Sequence, residues 1–241
     1  MYGMYGYGYG YGFDPTIILV LIGVALSLWA QGRVNSTFSR YSRVRSMTVM
    51  TGAEAARRLL NAQGIYDVTV QPIAGELTDH YDPRTKTVNL SQSVYGATSV
   101  AAIGVAAHEC GHAMQDNEGY APLRFRSALV PAANFGSKLS WPLILLGLVF
   151  GGLGSPLVEI GILMFSLAVL FQLVTLPVEY NASARAVRLL DSQGILAGEE
   201  VSGTRKVLNA AALTYVAAAA TSILQLLRLI ILFGGRNRRD N

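Results

Sequence analysis

The sequence predicts a mainly α membrane protein, with about four transmembrane helices and a smaller α+β unit held at one membrane face. Three observations predict it. Hydrophobic residues make up 51% of the 241 positions and charged residues 14%, with a mean hydropathy of +0.37. That is a composition of bilayer spans, outside the soluble norm. The apolar residues gather into long runs at 15–30, 139–153, 160–178 and 210–233. Between the first two runs lies a section of ordinary polarity, where short alternating stretches read as strands and periodic ones as helices.

Residues 1–14 form a Tyr/Gly tail, in which glycine at every second or third place disfavours a helix, and disorder is the expectation. No basic residue precedes the first apolar core, so the start is not a secretory signal. Residues 15–31 are the first transmembrane helix. Its apolar run is a little short of the roughly 20 residues a crossing needs, so flanking residues must join it. Arg33, Arg40, Arg43 and Arg45 follow at once. By the positive-inside rule the N-terminus lies outside and the chain after Gln31 enters the cytoplasm.

Residues 32–138 form the α+β region. Thr51-x-x-Glu54 is a capping box opening a helix with Ala56, Leu59 and Leu60 on one face, and Gly64 suits its stop. Residues 68–72 and 76–81 read as strands, 82–85 as a turn and 86–90 as a returning strand. This hairpin leads into a helix from about 99 to 115, and its free edge suits an extended peptide. Residues 120–138 mix Arg124 and Arg126 with apolar neighbours, as a helix lying at the membrane surface and interrupted at Pro131. Residues 139–178 are a transmembrane hairpin, turned at 154–156 without basic residues. Residues 179–207 hold a helix over 181–192, closed by Gly194, and a polar connection at 199–206.

Residues 208–241 are a last hydrophobic helix and a basic tail with Arg236, Arg238 and Arg239. Four simple crossings put that tail outside, against the positive-inside rule. Arg228, within the run, suits a segment near an interface or packed in the bundle.

The net charge of +4 is dispersed along the chain, which excludes the clustered basic face of a nucleic-acid binder. The single cysteine, Cys110, permits no intrachain disulfide, in keeping with a reducing compartment.

The helix at 99–115 carries His108-Glu109-Cys110-Gly111-His112. Positions i and i+4 share a helix face, so both imidazoles can reach one tetrahedral metal while Glu109 faces its open position. The chemistry such a pattern suits is a Zn²⁺-activated water, with Glu109 as general base. Cys110 points away from the histidine face and reads as a small buried residue. A catalytic site takes a third protein ligand. His80, the other histidine, lies in the hairpin. Glu159 falls on the far side of the membrane, and Asp116 and Glu118 are too near the motif to fold back onto it. Glu179 has a helical context and the right side of the membrane. Its alternatives are a cap for the following helix or a pair with Arg185.

Beyond the motif, T-D-H-Y-D-P, L-V-P-x-x-N-F-G-S, S-W-P-L-I-L, F-Q-L-V-T-L-P-V-E-Y-N-A-S and L-N-A-A-A-L-T-Y-V-A-A together resemble the YugP-type membrane zinc metallopeptidases over nearly the whole chain. That family is similar in plan to the HtpX-like and CAAX-processing membrane gluzincins. The resemblance implies a zincin-like cytoplasmic domain, His108, His112 and Glu179 as zinc ligands, and Glu109 as base. One departure stands out. Ser183 occupies the place of an aspartate in the HtpX pattern E-[FY]-x-A-D, so the carboxylate expected to orient a histidine must come from elsewhere, with Asp116 and Asp191 as candidates.

The expectation is therefore a zinc endopeptidase of the bacterial inner membrane, multi-pass, with its active site facing the cytoplasm. Its partners would be the bilayer and a peptide or membrane-protein substrate, in processing or quality control. His80 is the preferred donor to the oxyanion, with Tyr81 and Tyr180 as further candidates; tied to Asp79 or Asp82, His80 would only brace the hairpin. A zinc-stapled scaffold without catalysis is the first alternative, and it needs a fourth ligand from His80 or Cys110. A hydrolase of lipid or other amides is the second.

Overall fold

The computed structural model describes residues 14–152 and 155–234. The Tyr/Gly tail up to residue 13, Gly154 of the expected 154–156 turn and the final basic residues lie outside the described residues. Seven α-helices and a three-stranded sheet follow in chain order: α1 (Ile17–Tyr41), α2 (Gly52–Ala62), β1 (Thr69–Ile73), β2 (His80–Asp82), β3 (Thr87–Ser91), α3 (Gln92–Tyr95), α4 (Val100–Asn117), α5 (Ala121–Gly151), α6 (Pro156–Ser192) and α7 (Glu199–Phe233). The protein is a mainly α membrane protein.

Helices α1, α5, α6 and α7 are long and apolar enough to cross a membrane. Their outward faces carry Ile18, Leu28, Leu146, Phe150, Leu163, Leu173, Ile223 and Ile231, all exposed. So much exposed aliphatic surface suits lipid and not water. α1 packs on α7, α7 on α6 and α6 on α5. The Thr221 hydroxyl donates to the Gly23 carbonyl (3.1 Å), and Arg228 donates to Asp14 (2.9 Å) and to Thr16 (3.2 Å). These contacts run α1 and α7 antiparallel along their whole length. Arg228 is thus a bundle residue paired at the N-terminal end of α1, and the last helix runs back along α1.

Several helices outrun their expected limits. α1 continues to Tyr41 and does not stop near residue 31, because no proline or glycine pair ends it and its polar second half extends past the apolar run. α5 passes through Pro131 and Pro142 without interruption, so residues 121–151 form one helix where a surface helix and a separate span were expected. α6 likewise passes through Pro177 and joins the third span to the expected 181–192 helix. Proline is tolerated in membrane helices because packed neighbours and local adjustment satisfy the freed carbonyls. The polar stretch 199–206 is helical too, the first turns of α7, with Glu199 and Glu200 placed where the helix dipole favours acids.

The α+β unit forms where local signals are strong. Thr51 accepts from the Glu54 N–H while the Thr51 N–H donates to the Glu54 carboxylate, the capping box of α2, and Gly64 takes φ +70° at its end. In the sheet, β3 is central: β2 pairs with it antiparallel, with His80 opposite Asn89, and β1 pairs parallel, with Thr69 opposite Thr87. Pro72 is tolerated because β1 is an edge strand. The expected strand at 76–81 shortens to His80–Asp82, since Asp79 turns its carboxylate to receive the Ser91 N–H (2.8 Å) and hydroxyl. One buried core joins α2, the sheet and α4 to Ala186 and Leu190 of α6 and Leu208 of α7. The ends of two membrane helices are therefore part of the core under the sheet, and α4 is clamped between sheet and bundle.

Candidate metal centre

Helix α4 opens at Ser99, whose hydroxyl accepts from the Ala102 N–H (3.2 Å), and small residues let it sink into the core. Ala102, Ala106, Cys110 and Ala113 are buried. Gly111 permits the closest approach: a Cβ there would stand 2.6 Å from the Ala182 carbonyl oxygen of α6. The backbones of α4 and α6 thereby touch at the motif. The face of α4 bearing His108 and His112 then looks directly at Glu179, one turn earlier on α6.

The three side chains converge. The His108 Nε2 is 3.2 Å and the His112 Nε2 3.5 Å from the Glu179 Oε2, and all three potential ligand atoms lie within 4.8 Å of one another. Donors bound to one tetrahedral ion at about 2.0–2.1 Å stand about 3.3 Å apart, so the two histidine–glutamate separations are close to a tetrahedron's edge. Two imidazoles and a carboxylate are also a donor set suited to zinc. Among the described residues no fourth His, Cys, Asp or Glu joins the three.

Both histidines are oriented from behind. The His108 Nδ1 and the Ser183 hydroxyl lie 3.1 Å apart, so the hydroxyl can accept the Nδ1 proton of a metal-bound ring, and the His112 Nδ1–H donates to the Gln115 Oε1 at 3.0 Å. Gln115 is wholly buried. Its amide nitrogen donates to the Val178 carbonyl and the Asn181 side chain, both at 2.9 Å, which leaves its oxygen as the acceptor for His112. With the Nδ1 protons held by these two partners, each Nε2 lone pair would be free for a metal. The carboxylate expected from Asp116 or Asp191 is not what orients the histidines. Asp116 receives the Tyr81 hydroxyl and the Lys86 ammonium, each at 2.8 Å, and Ser183 itself holds the place of the aspartate it replaces.

The alternatives for Glu179 do not match the structure. No helix begins there, so it caps nothing. Arg185 instead donates to Asn181 (2.7 Å) and Glu118 (2.6 Å). The second Glu179 oxygen faces Arg126 of α5, whose Nη1 lies 3.7 Å away. The Arg126 Nε is buried without a hydrogen-bond partner.

Glu109 is 7% exposed and lines two cavities that meet at the cluster. The larger, about 340 Å³, opens between β2, α4 and α5 and is bordered by His80, Tyr81, Arg126 and Tyr215. The smaller, about 170 Å³, lies between α1, α4 and α7 and is bordered by Val34, Val105, Leu208 and Ala212. His80 is on the rim of the larger one. Its Nδ1 is 2.9 Å from the Thr78 carbonyl and its Nε2 3.3 Å from the Asn89 amide nitrogen, so it is tied to neither Asp79 nor Asp82. Tyr180 is exposed in a separate groove beside Arg188 and Arg205. Cys110 lies on the opposite side of α4, its thiol donating to the Ala56 carbonyl (3.6 Å), and burial pushes that thiol well above the usual cysteine range.

Arg126, Tyr215 and Gln115 were absent from the expected site. The signals for them were faint. Arg126 is a cation in a stretch that is otherwise half apolar, Tyr215 a lone hydroxyl in an alanine-rich run, and Gln115 a polar residue one helical turn beyond His112.

Residues 16–234 match the family described as "Putative neutral zinc metallopeptidase". The chain belongs to this family. It is also 49% identical over 224 residues to "Putative membrane protease YugP" of Bacillus subtilis (strain 168), covering 93% of this chain and 98% of that protein. No solved structure matches it. The family's zinc and the donor set of His108, His112 and Glu179 are compatible.

Proposed function

We propose that the chain is an active zinc-dependent endopeptidase of the gluzincin type, with His108, His112 and Glu179 as metal ligands and Glu109 as general base. The observation that carries this reading is the convergence of the three ligand atoms to within 4.8 Å of one another, beside a buried Glu109 whose side chain forms no hydrogen bond or ion pair among the described residues. The absence of a fourth ligand in the cluster favours an open, catalytic position over a closed structural one. Cys110, which a stapled scaffold would need, faces away.

Zn²⁺ in such a site polarises a carbonyl and acidifies water. Glu109 takes a proton from the attacking water and returns it to the leaving amine, moving it between the two faces of the scissile bond. Ser183 and Gln115 keep the two imidazoles in the ligating tautomer throughout. Arg126 offsets the charge of Glu179 and holds its carboxylate aimed at the histidines. His80, at the rim, is proposed as a donor to the oxyanion, for which its Nε2 must carry a proton and Asn89 must turn aside. The exposed edge of β2 can take an extended peptide as an added strand, leading it past the cluster.

The cluster lies where the apolar runs of α6 and α7 give way to polar sequence, a depth suited to cutting membrane proteins near the bilayer surface. Arg33, Arg40, Arg188, Arg205 and Lys206 crowd the same end of the bundle, which supports a cytoplasmic active site in a bacterial inner membrane by the positive-inside rule. Processing or quality control of membrane proteins is the role proposed from this placement.

Glu109→Gln protein purified in detergent should keep its zinc and lose cleavage of an unstructured membrane-protein substrate by about 100-fold or more. Glu179→Ala should lower zinc content. Wild-type protein that shows no hydrolysis, yet unfolds on metal removal, would establish the scaffold reading instead.

A further inference from the structure

On the face of the α1–α7 seam away from the metal cluster, a groove of about 480 Å³ gathers three cations: Arg33 and Arg40 from α1 and Lys206 from α7. Thr37 and Asn209 add polar side chains, and Leu213 lies at its apolar end. No carboxylate lines it. None of the three cations makes a hydrogen bond or ion pair to an acid among the described residues; the Arg40 guanidinium lies 5.7 Å over the Tyr41 ring. The nearest acids, Glu199 and Glu200, border an adjoining groove with Arg40 and Lys206, and Glu200 receives the Met47 N–H at 2.7 Å.

Cations following an apolar run are common and by themselves only orient a helix. Here two helices distant in sequence bring three of them to one concavity, at matching depth. The apolar run of α1 ends at Trp29, exposed one turn before Arg33, and the apolar run of α7 begins at Ala210, one turn after Lys206. The two helices are antiparallel, so both transitions fall at the level of the lipid headgroups.

We infer that this groove binds the phosphodiester headgroup of an anionic phospholipid. Guanidinium groups meet phosphate oxygens through paired N–H donors, Lys206 adds a point charge, and the Asn209 amide can donate a further hydrogen bond. The apolar end at Leu213 leads the acyl chains toward the bilayer. Basic pockets between membrane helices recognise such headgroups by this chemistry. The inference does not depend on hydrolysis.

The test uses the full chain in neutral detergent, with lipid retention read by native mass spectrometry and stability by thermal unfolding. Phosphatidylglycerol and cardiolipin should be retained and raise the melting temperature, while phosphatidylcholine should do neither. A variant carrying R33Q, R40Q and K206Q should lose roughly 100-fold in anionic-lipid affinity and lose the thermal shift. The R33K/R40K variant, which keeps the charges and loses the paired donors, should fall between wild type and the triple variant in both. Should the triple variant fail to fold, K206Q alone should still weaken retention. Equal retention of phosphatidylcholine, or selective retention by the triple variant, would overturn the inference. An equal thermal shift from inorganic phosphate would replace the lipid with a free anion.

Discussion

Gly111 meets the backbone of Ala182 so closely that a methyl group added to it would lie 2.6 Å from the Ala182 carbonyl oxygen. The fourth residue of the H-E-x-x-H motif thus works as a spacer between α4 and α6, and sets how near the histidines come to Glu179. Gly111→Ala must push the two helices apart. The expected cost is about 1–3 kcal/mol of overpacking, with loss of zinc that follows from the widened cluster. Thermal unfolding together with metal analysis checks both, and an unchanged zinc content would contradict the spacer role.

The Ser183 hydroxyl stands 3.1 Å from the His108 Nδ1, placed to accept its proton when Nε2 holds a metal. Ser183→Ala should lower zinc affinity about 10- to 100-fold, as loss of a histidine's outer partner does. Ser183→Asp should recover it, because a carboxylate accepts the same proton more strongly. Competition with a coloured chelator measures the order of the three proteins.

Gln115 ties α4 to α6 through the Val178 carbonyl and Asn181 while it orients His112. Gln115→Leu would leave those buried groups unsatisfied, at a cost of about 1–3 kcal/mol. It should also weaken metal binding. Stability measured on apo and zinc-loaded protein should show a larger deficit in the loaded form.

The capping box of α2 makes a pH-dependent contribution. The Thr51 N–H and hydroxyl both donate to the Glu54 carboxylate, at 2.8 and 2.9 Å, and hold Glu54 below the usual glutamate range. Folding therefore favours the ionised form. The stabilisation is whole above the ordinary value of 4.5 and fades as pH falls through the depressed folded value. The melting temperatures of wild type and Glu54→Ala should differ most near neutral pH and converge in acid.

Much of this was readable because the signals were local or rested on long runs. The Thr51 cap, the Gly64 stop and the limits of α4 are decided by a few neighbouring residues, and four apolar runs announced four helices. Membrane side made Glu179 a candidate among the acids, and the family resemblance grouped it with His108 and His112. Proline misled the reading at Pro131 and Pro177, since its cost in a helix depends on surroundings that a sequence does not display. The 199–206 stretch misled through its polarity, although Glu199 and Glu200 are acids of the type that open helices. Arg126 and Tyr215 reach the cavity only through the packing of α5 and α7 around α6, which no spacing in the chain encodes. The parallel pairing of β1 with β3 is likewise a tertiary outcome.

Because α6 runs unbroken from Pro156 to Ser192, Glu179 is fixed to a rod whose other half is immersed in lipid. Its length, about 55 Å at 1.5 Å per residue, exceeds a hydrocarbon core of about 30 Å. A thicker or thinner bilayer is met by tilting such a rod, and tilt loads the Gly111–Ala182 contact and the shared core that hold Glu179 against the histidines. The protein is in this sense a lever, with lipid on one arm and a ligand on the other. Zinc affinity measured in bilayers of graded acyl length should then follow membrane thickness.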